Sequence, residues 1–144
     1  MYPVTIEKVA ATLGGERALN ARLATVGDLY AAVQRGLPRA VVRELAKAAA
    51  HGKEDRRRVV GLVASEATLK RSLVLSPAAS ERAERIARVV ALAHDAFDTP
   101  AKAQEWLHRP NLVLGAAPIQ LAVSDLGARQ VEQVLANIEY GLPA

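Results

Sequence analysis

A chain of 144 residues suffices for one domain, or for two small helical subdomains sharing a core. Half of it is hydrophobic but only 3% is aromatic, and the apolar content is mainly Ala, Leu and Val, which favours closely packed helices over a sandwich or barrel. The absence of cysteine excludes a disulfide framework, a thiolate metal site and a Cys nucleophile, and the net charge of +4 is spread unevenly along the chain.

Residues 1–34 are electrically neutral. Residues 35–88 carry thirteen Lys/Arg against six Asp/Glu, and residues 89–144 carry three against six. A basic middle joined to an acidic end suggests two surfaces with different partners, against the alternative of ordinary solvated helix positions. The N-terminus MYPVTIEKVA lacks a basic-then-apolar signal segment, and no apolar run approaches the roughly 18 residues of a membrane span. These features lead us to expect a soluble, cytoplasmic, all-α protein.

In chain order, Ile6, Val9, Ala10 and Leu13 make one apolar helical face that Gly14-Gly15 ends, and Ala18 to Leu23 is ambiguous. Thr25 opens the next helix with Asp28 at the acid position of a capping box. Leu29, Tyr30 and Val33 are its expected buried face, and Gly36 closes it. Pro38 suits a first helical turn, after which Val41, Val42, Leu45 and Ala49 point inward until His51-Gly52.

Glu54 to Gly61 reads as a short helix with acids at its positive end, and Ser65 caps a second, SEATLKRSL, with Leu69 and Leu73 on one side. Two short helices joined by a tight turn, the second capped and basic, have the outline of a helix-turn-helix, although any small bundle contains such pairs. On the DNA-binding reading Thr68, Lys70 and Arg71, on the helix that Ser65 caps, approach base edges and Arg56, Arg57 and Arg58 the phosphates.

Ser76-Pro77 starts the longest helix, to about Phe97. Its stripe is Ile86, Val90, Ala93 and Phe97, and Arg82, Arg85 and Arg88 are expected opposite as surface pairs of Glu81 and Glu84. Thr99-Pro100 starts AKAQEWLHR, and Asn111 to Ala117 reads as a loop anchored by Leu112, Val113 and Leu114. Pro118 opens a short turn of helix, and Ser124 to Gly127 forms a turn. A final helix runs from about Ala128 to Tyr140 with Val131, Val134, Leu135 and Ile138 inside, ended by Gly141 and Pro143.

Catalytic signatures are missing. His51, His94 and His108 lie in separate segments, no phosphate-cradling glycine loop occurs, and Ser65, Ser76 and Ser124 stand at caps. No enzyme activity, metal or cofactor is expected.

The last third carries a series that can be compared with a known family. Ala103, Trp106, Leu107, Pro110, Asn111, Leu114, Gly115, Pro118, Gly127, Val131, Leu135, Ile138, Glu139 and Gly141 together resemble the C-terminal toxin-binding domain of the MbcA/ParS/Xre antitoxins. Upstream, Gly36-Leu37-Pro38 before a helix and the SEATLKRS element from Ser65 to Ser72 also resemble that family. Two departures are Ala116, where the family usually has a second glycine, and Lys70 and Ser72, which do not extend Arg71 into an arginine pair.

The resemblance implies an Xre-like helix-turn-helix part over 1–76, then a linking helix and toxin-binding domain over 77–144. It further implies a partner toxin of the RES type that degrades NAD or transfers its ADP-ribose, blocked at its cleft by the antitoxin. A dimer or larger complex that represses its own operon is implied as well. The alternative is a helix-turn-helix regulator with no toxin partner. Physically, Trp106, Leu107, Leu135 and Ile138 read as core, and Pro110, Leu114, Gly115, Pro118, Gly127 and Val131 complete a scaffold. The expected toxin contact is what that scaffold exposes: Asn111, Arg129, Glu132, Glu139, Tyr140, Gly141 and the tail Leu142, Pro143 and Ala144.

Overall fold

The computed structural model describes residues 2–141, and these form ten helices with no strand among them. They are α1 (Ile6–Thr12), α2 (Gly15–Leu19), α3 (Val26–Arg35), α4 (Ala40–Ala49), α5 (Lys53–Val63), α6 (Glu66–Arg71), α7 (Pro77–Ala96), α8 (Pro100–His108), α9 (Pro118–Leu121) and α10 (Asp125–Glu139). The expected all-α bundle is the fold observed.

Helix starts follow local chemistry. The side chains of Thr5, Thr25, Ser65, Ser76, Thr99 and Ser124 each accept a hydrogen bond from the backbone N–H three residues on. This satisfies donors that a helix start leaves open. The Thr25 box is reciprocal, because Asp28 accepts from the N–H groups of Ala24 and Thr25. Those two donors hold the Asp28 carboxyl below the usual carboxylate range.

The hub is α7. It touches α1, α3, α4, α5, α8, α9 and α10. Ala79, Ala83, Ala87, Ala91 and Ala93 keep its surface low, so neighbours approach closely, while Ile86, Val89 and Val90 fill the gaps. Ser80, the only buried polar residue among those described, accepts from the Leu37 backbone N–H at 2.8 Å. The Leu37-Pro38 segment is thereby pinned and pairs with Leu73–Leu75 through Leu75 N–H to Leu37 O and Arg39 N–H to Leu73 O, both 2.8 Å.

Several expectations fail for identifiable reasons. Pro38 lies in that two-strand bridge instead of a helical turn. Tyr30 is exposed, since one residue past Leu29 rotates it off the Leu29–Ala32–Val33 stripe. Leu73 is exposed as well: α6 stops at Arg71 and the extended backbone at Ser72 breaks the helical register with Leu69. Leu112 and Val113 are fully or mostly exposed and do not anchor their loop.

The final helix begins at Asp125, so Gly127 lies in its first turn. A Cβ there would overlap the Leu121 carbonyl, and the bare glycine is what lets α10 fold back against α9. Ala116 has φ below zero, because Asn20 is the one non-glycine residue among those described with positive φ. Its substitution for glycine is therefore unstrained.

Candidate functional site

The exposed helix pair comes first. No residue of α6 is buried. Ser65 Oγ caps the Thr68 N–H at 3.1 Å and donates to Thr68 Oγ1 at 2.9 Å, and Arg71 reaches the same Oγ1 at 3.3 Å. Lys70 pairs with Glu66 at 3.5 Å, with both side chains open to solvent. The three candidate base-reading residues, Thr68, Lys70 and Arg71, thus lie on one short, solvent-facing helix capped by Ser65.

The three α5 arginines divide. Arg56 Nε donates to Ala50 O at 2.9 Å, closing the end of α4, and Arg58 pairs with Asp55 at 2.7 Å. Arg57 is exposed and has no acidic partner among the described residues.

The second region is built by α7 to α10. Trp106 is half-buried and stacks against Phe97 with centroids 5.6 Å apart, while Leu107 beside it is fully buried. Pro118, Gly127, Val131 and Leu135 are buried, Leu114 and Ile138 half-buried, and Pro110 and Gly115 exposed in the loop.

The α7 arginines are tethers, not the surface pairs expected from spacing. Arg82 Nε donates to Val63 O and Arg85 Nε to Val123 O, each at 2.9 Å. Arg88 lies between Glu84 and Glu132, 3.0 Å from each, with all three side chains only about 15% exposed. Its Nε faces Glu132 as an ion pair without hydrogen-bond alignment. Tyr2 closes the cluster by donating to Glu84 at 2.5 Å, and its ring lies under the Arg88 guanidinium. Burial first, then Glu84, pushes the Tyr2 phenol far above its ordinary value. Burial likewise raises Glu132 against the opposing pull of Arg88.

A third group joins the two regions. The last carbonyls of α4 are satisfied from the C-terminal half: Ala48 O by His94 Nε2 at 2.8 Å and Gln104 Nε2 at 3.2 Å, and Ala49 O by His108 Nε2 at 3.0 Å. Since a carbonyl only accepts, both histidines carry their proton on Nε2. This role explains two of the three histidines that sequence reading left without one.

The expected contact residues are not brought together. Asn111 Oδ1 accepts from the Val113 and Leu114 N–H groups, so this side chain shapes the loop. Glu132 turns inward to Arg88 and is withdrawn from the exposed set. Arg129 is exposed beside Asp125, but ten residues of helix separate it from Glu139 by about 15 Å. Glu139, Tyr140 and Gly141 remain exposed together at the end of α10, with Gly141 at φ 74°. Leu142, Pro143 and Ala144 lie outside the described residues. Sequence reading missed the bare apolar tip Leu112-Val113, which the PNLVLG spacing disguises as an anchored loop.

Among the described residues no three His, Asp or Glu side chains converge as for a metal, and no helix is long and apolar enough to cross a membrane.

Residues 28–88 match the model described as the antitoxin Xre-like helix-turn-helix domain. Residues 92–141 match the antitoxin Xre/MbcA/ParS C-terminal toxin-binding domain. The two matched segments lie side by side and together take in α3 to α10. A curated relative, Antitoxin Xre of Pseudomonas putida, is 30% identical over 88 residues, which is 60% of this chain and 55% of the relative. By these matches the chain is similar to the Xre-type antitoxins over residues 28–88 and 92–141. It spans about half the length of the curated relative it matches.

Proposed function

We propose that this chain neutralises a RES-domain toxin that consumes NAD or transfers its ADP-ribose, by covering the toxin's active-site cleft with the end of α10 and the tail after it. The observation that carries the reading is the exposed cluster Glu139-Tyr140-Gly141 closing the domain whose family model is toxin-binding. Tyr140, 79% exposed, offers a large apolar body with a polar tip, the kind of side chain that anchors interfaces. Glu139 is placed to meet the basic groups that a dinucleotide cleft needs for its phosphates. The exposed Leu112-Val113 tip supplies a second apolar contact.

Deleting Leu142 to Ala144 together with Glu139→Gln is expected to weaken inhibition of the partner toxin at least tenfold. Undiminished inhibition after both changes contradicts the occlusion.

The exposed α6 supports a second role, binding of the operator DNA upstream of its own gene, with autoregulation by a dimer or larger toxin–antitoxin assembly. Thr68, Lys70 and Arg71 read bases, and Ser65 positions them. Arg57, with the outer nitrogens of Arg56 and Arg58, meets phosphates. A gel shift on the upstream DNA decides it: Arg71→Ala is expected to abolish the specific shift. A shift that this change leaves intact overturns the assignment.

A further inference from the structure

Beside α6 lies an open groove of about 1090 Å³, and of its basic residues the helix-turn-helix reading uses only Arg56 and Arg57. Its floor is Val42, Ala46, Val60 and Leu69. Its walls carry Arg17 of α2, Arg43 and Lys47 of α4, and Lys53, Arg56 and Arg57 of α5, with Arg39 at the α6 end and Glu44 as the one acid. On α4 the residues Arg39, Arg43 and Lys47 recur every four positions, and on α5 Lys53 and Arg57 do the same. Each stripe therefore faces the groove as a row of like charges.

Such rows are unfavourable within a helix, and the fold does little to offset them. Lys47 has Glu44 at 3.3 Å, Arg39 donates to Leu69 O and Arg56 to Ala50 O. Arg17, Arg43, Lys53 and Arg57 are exposed, and among the described residues none has an acid within 4 Å. On α7, by contrast, every arginine is tied to a carbonyl or a carboxylate.

We infer that the groove is a track for the phosphate backbone of duplex DNA, extending the contact of α6 beyond the matched helix-turn-helix domain onto α2. This rests on the DNA reading proposed above. Two features favour duplex DNA as the occupant. The groove opens directly beside α6, with Leu69 and Leu73 of that stretch among the residues that line it, so one duplex meets both. Cations on both sides of a concave channel suit a convex ridge of regularly spaced phosphates, whereas a base-reading surface needs donors and acceptors the apolar floor lacks. Arg17 lies outside the 28–88 match, so α2 contributes a contact that the domain assignment does not contain.

The test uses the full chain, fluorescence anisotropy with a duplex from upstream of the gene and with an unrelated duplex, and a KCl series. The double variant Arg17→Gln, Arg43→Gln changes only exposed side chains; circular dichroism checks that helicity is kept. It is expected to weaken both duplexes about equally, by roughly tenfold near 100 mM KCl, and to reduce the slope of log K against log[salt] by about 2. Arg71→Ala is expected to weaken the upstream duplex far more than the unrelated one. Wild-type binding with an unchanged slope in the double variant overturns the track alone. Absence of duplex binding by the wild type overturns both the track and the DNA reading beneath it. Duplex binding kept in the double variant, with loss of binding to the partner toxin, reassigns the groove to an acidic protein surface and overturns the proposal.

Discussion

The middle stretch and the long helix after it use the same residue for opposite ends. In α4 and α5 the cations Arg43, Lys53 and Arg57 face a shared groove and have no acidic partner among the described residues. In α7, Arg82, Arg85 and Arg88 reach inward to the Val63 carbonyl, the Val123 carbonyl and the Glu84–Glu132 pair. The first set leaves charge available to a partner. The second spends charge on holding α5, α9 and α10 against the hub. An arginine count along the chain cannot separate the two, because only the tertiary partner tells them apart.

The largest effect expected on stability comes from breaking the inward set. Arg88→Ala leaves Glu84 and Glu132 facing each other beneath Tyr2 with no cation, and is expected to destabilise by about 3 kcal/mol in urea unfolding. A loss below about 1 kcal/mol would show that the cluster is solvent-screened. Gly127→Ala attacks the same region by shape instead of charge. Its methyl meets the Leu121 carbonyl, and a loss of about 2 kcal/mol is expected by the same measurement.

The joint between the regions ranks next. His108→Ala removes the donor to Ala49 O in a buried setting and is expected to lose about 1.5 kcal/mol. If the joint fixes the relative placement of the two halves, hydrogen exchange at the end of α4 rises in this variant.

Glu132 gives a pH-dependent signature. Its folded value is raised chiefly by burial, so the folded protein holds a proton that the unfolded chain has released. Between the ordinary glutamate value and the raised one, stability therefore falls as pH rises. Glu132→Gln is expected to flatten that part of a melting-temperature profile, and an unchanged profile counts against an inward, desolvated carboxyl. The smallest effect belongs to the outward set: Arg57→Gln is expected to change stability by less than about 0.5 kcal/mol while weakening duplex binding.

These differences also explain what the sequence made legible. Caps at Thr25, Ser65, Ser76, Thr99 and Ser124 were readable because each is settled within three residues. The apolar stripes of α4 and α10 were readable for the same reason, and the Trp106 series carried the family. The tethers were not readable. Arg85 meets a carbonyl 38 residues away and His94 one 46 residues away, and no local pattern encodes such pairs. At Glu84–Arg88 the i,i+4 spacing was right, yet the surface reading of it was not, since burial decides what such a pair does. Among the candidate contacts, the structural use of Asn111 was not readable, because a free polar residue in a loop and a turn-forming one look alike. The loop shows its use of that side chain only through the Val113 and Leu114 N–H groups. The basic groove showed in the sequence only as the excess of Lys/Arg over residues 35–88. Its walls needed the packing of α2 and α5 against α4.

The most direct test of the account is NAD turnover by the RES-domain toxin proposed as its partner, measured with increasing amounts of the full chain and of the chain lacking Leu142 to Ala144. The account predicts that turnover falls to background at equimolar full chain and that the shortened chain inhibits at least tenfold more weakly. Toxin turnover that persists in stoichiometric excess of the full chain would contradict it.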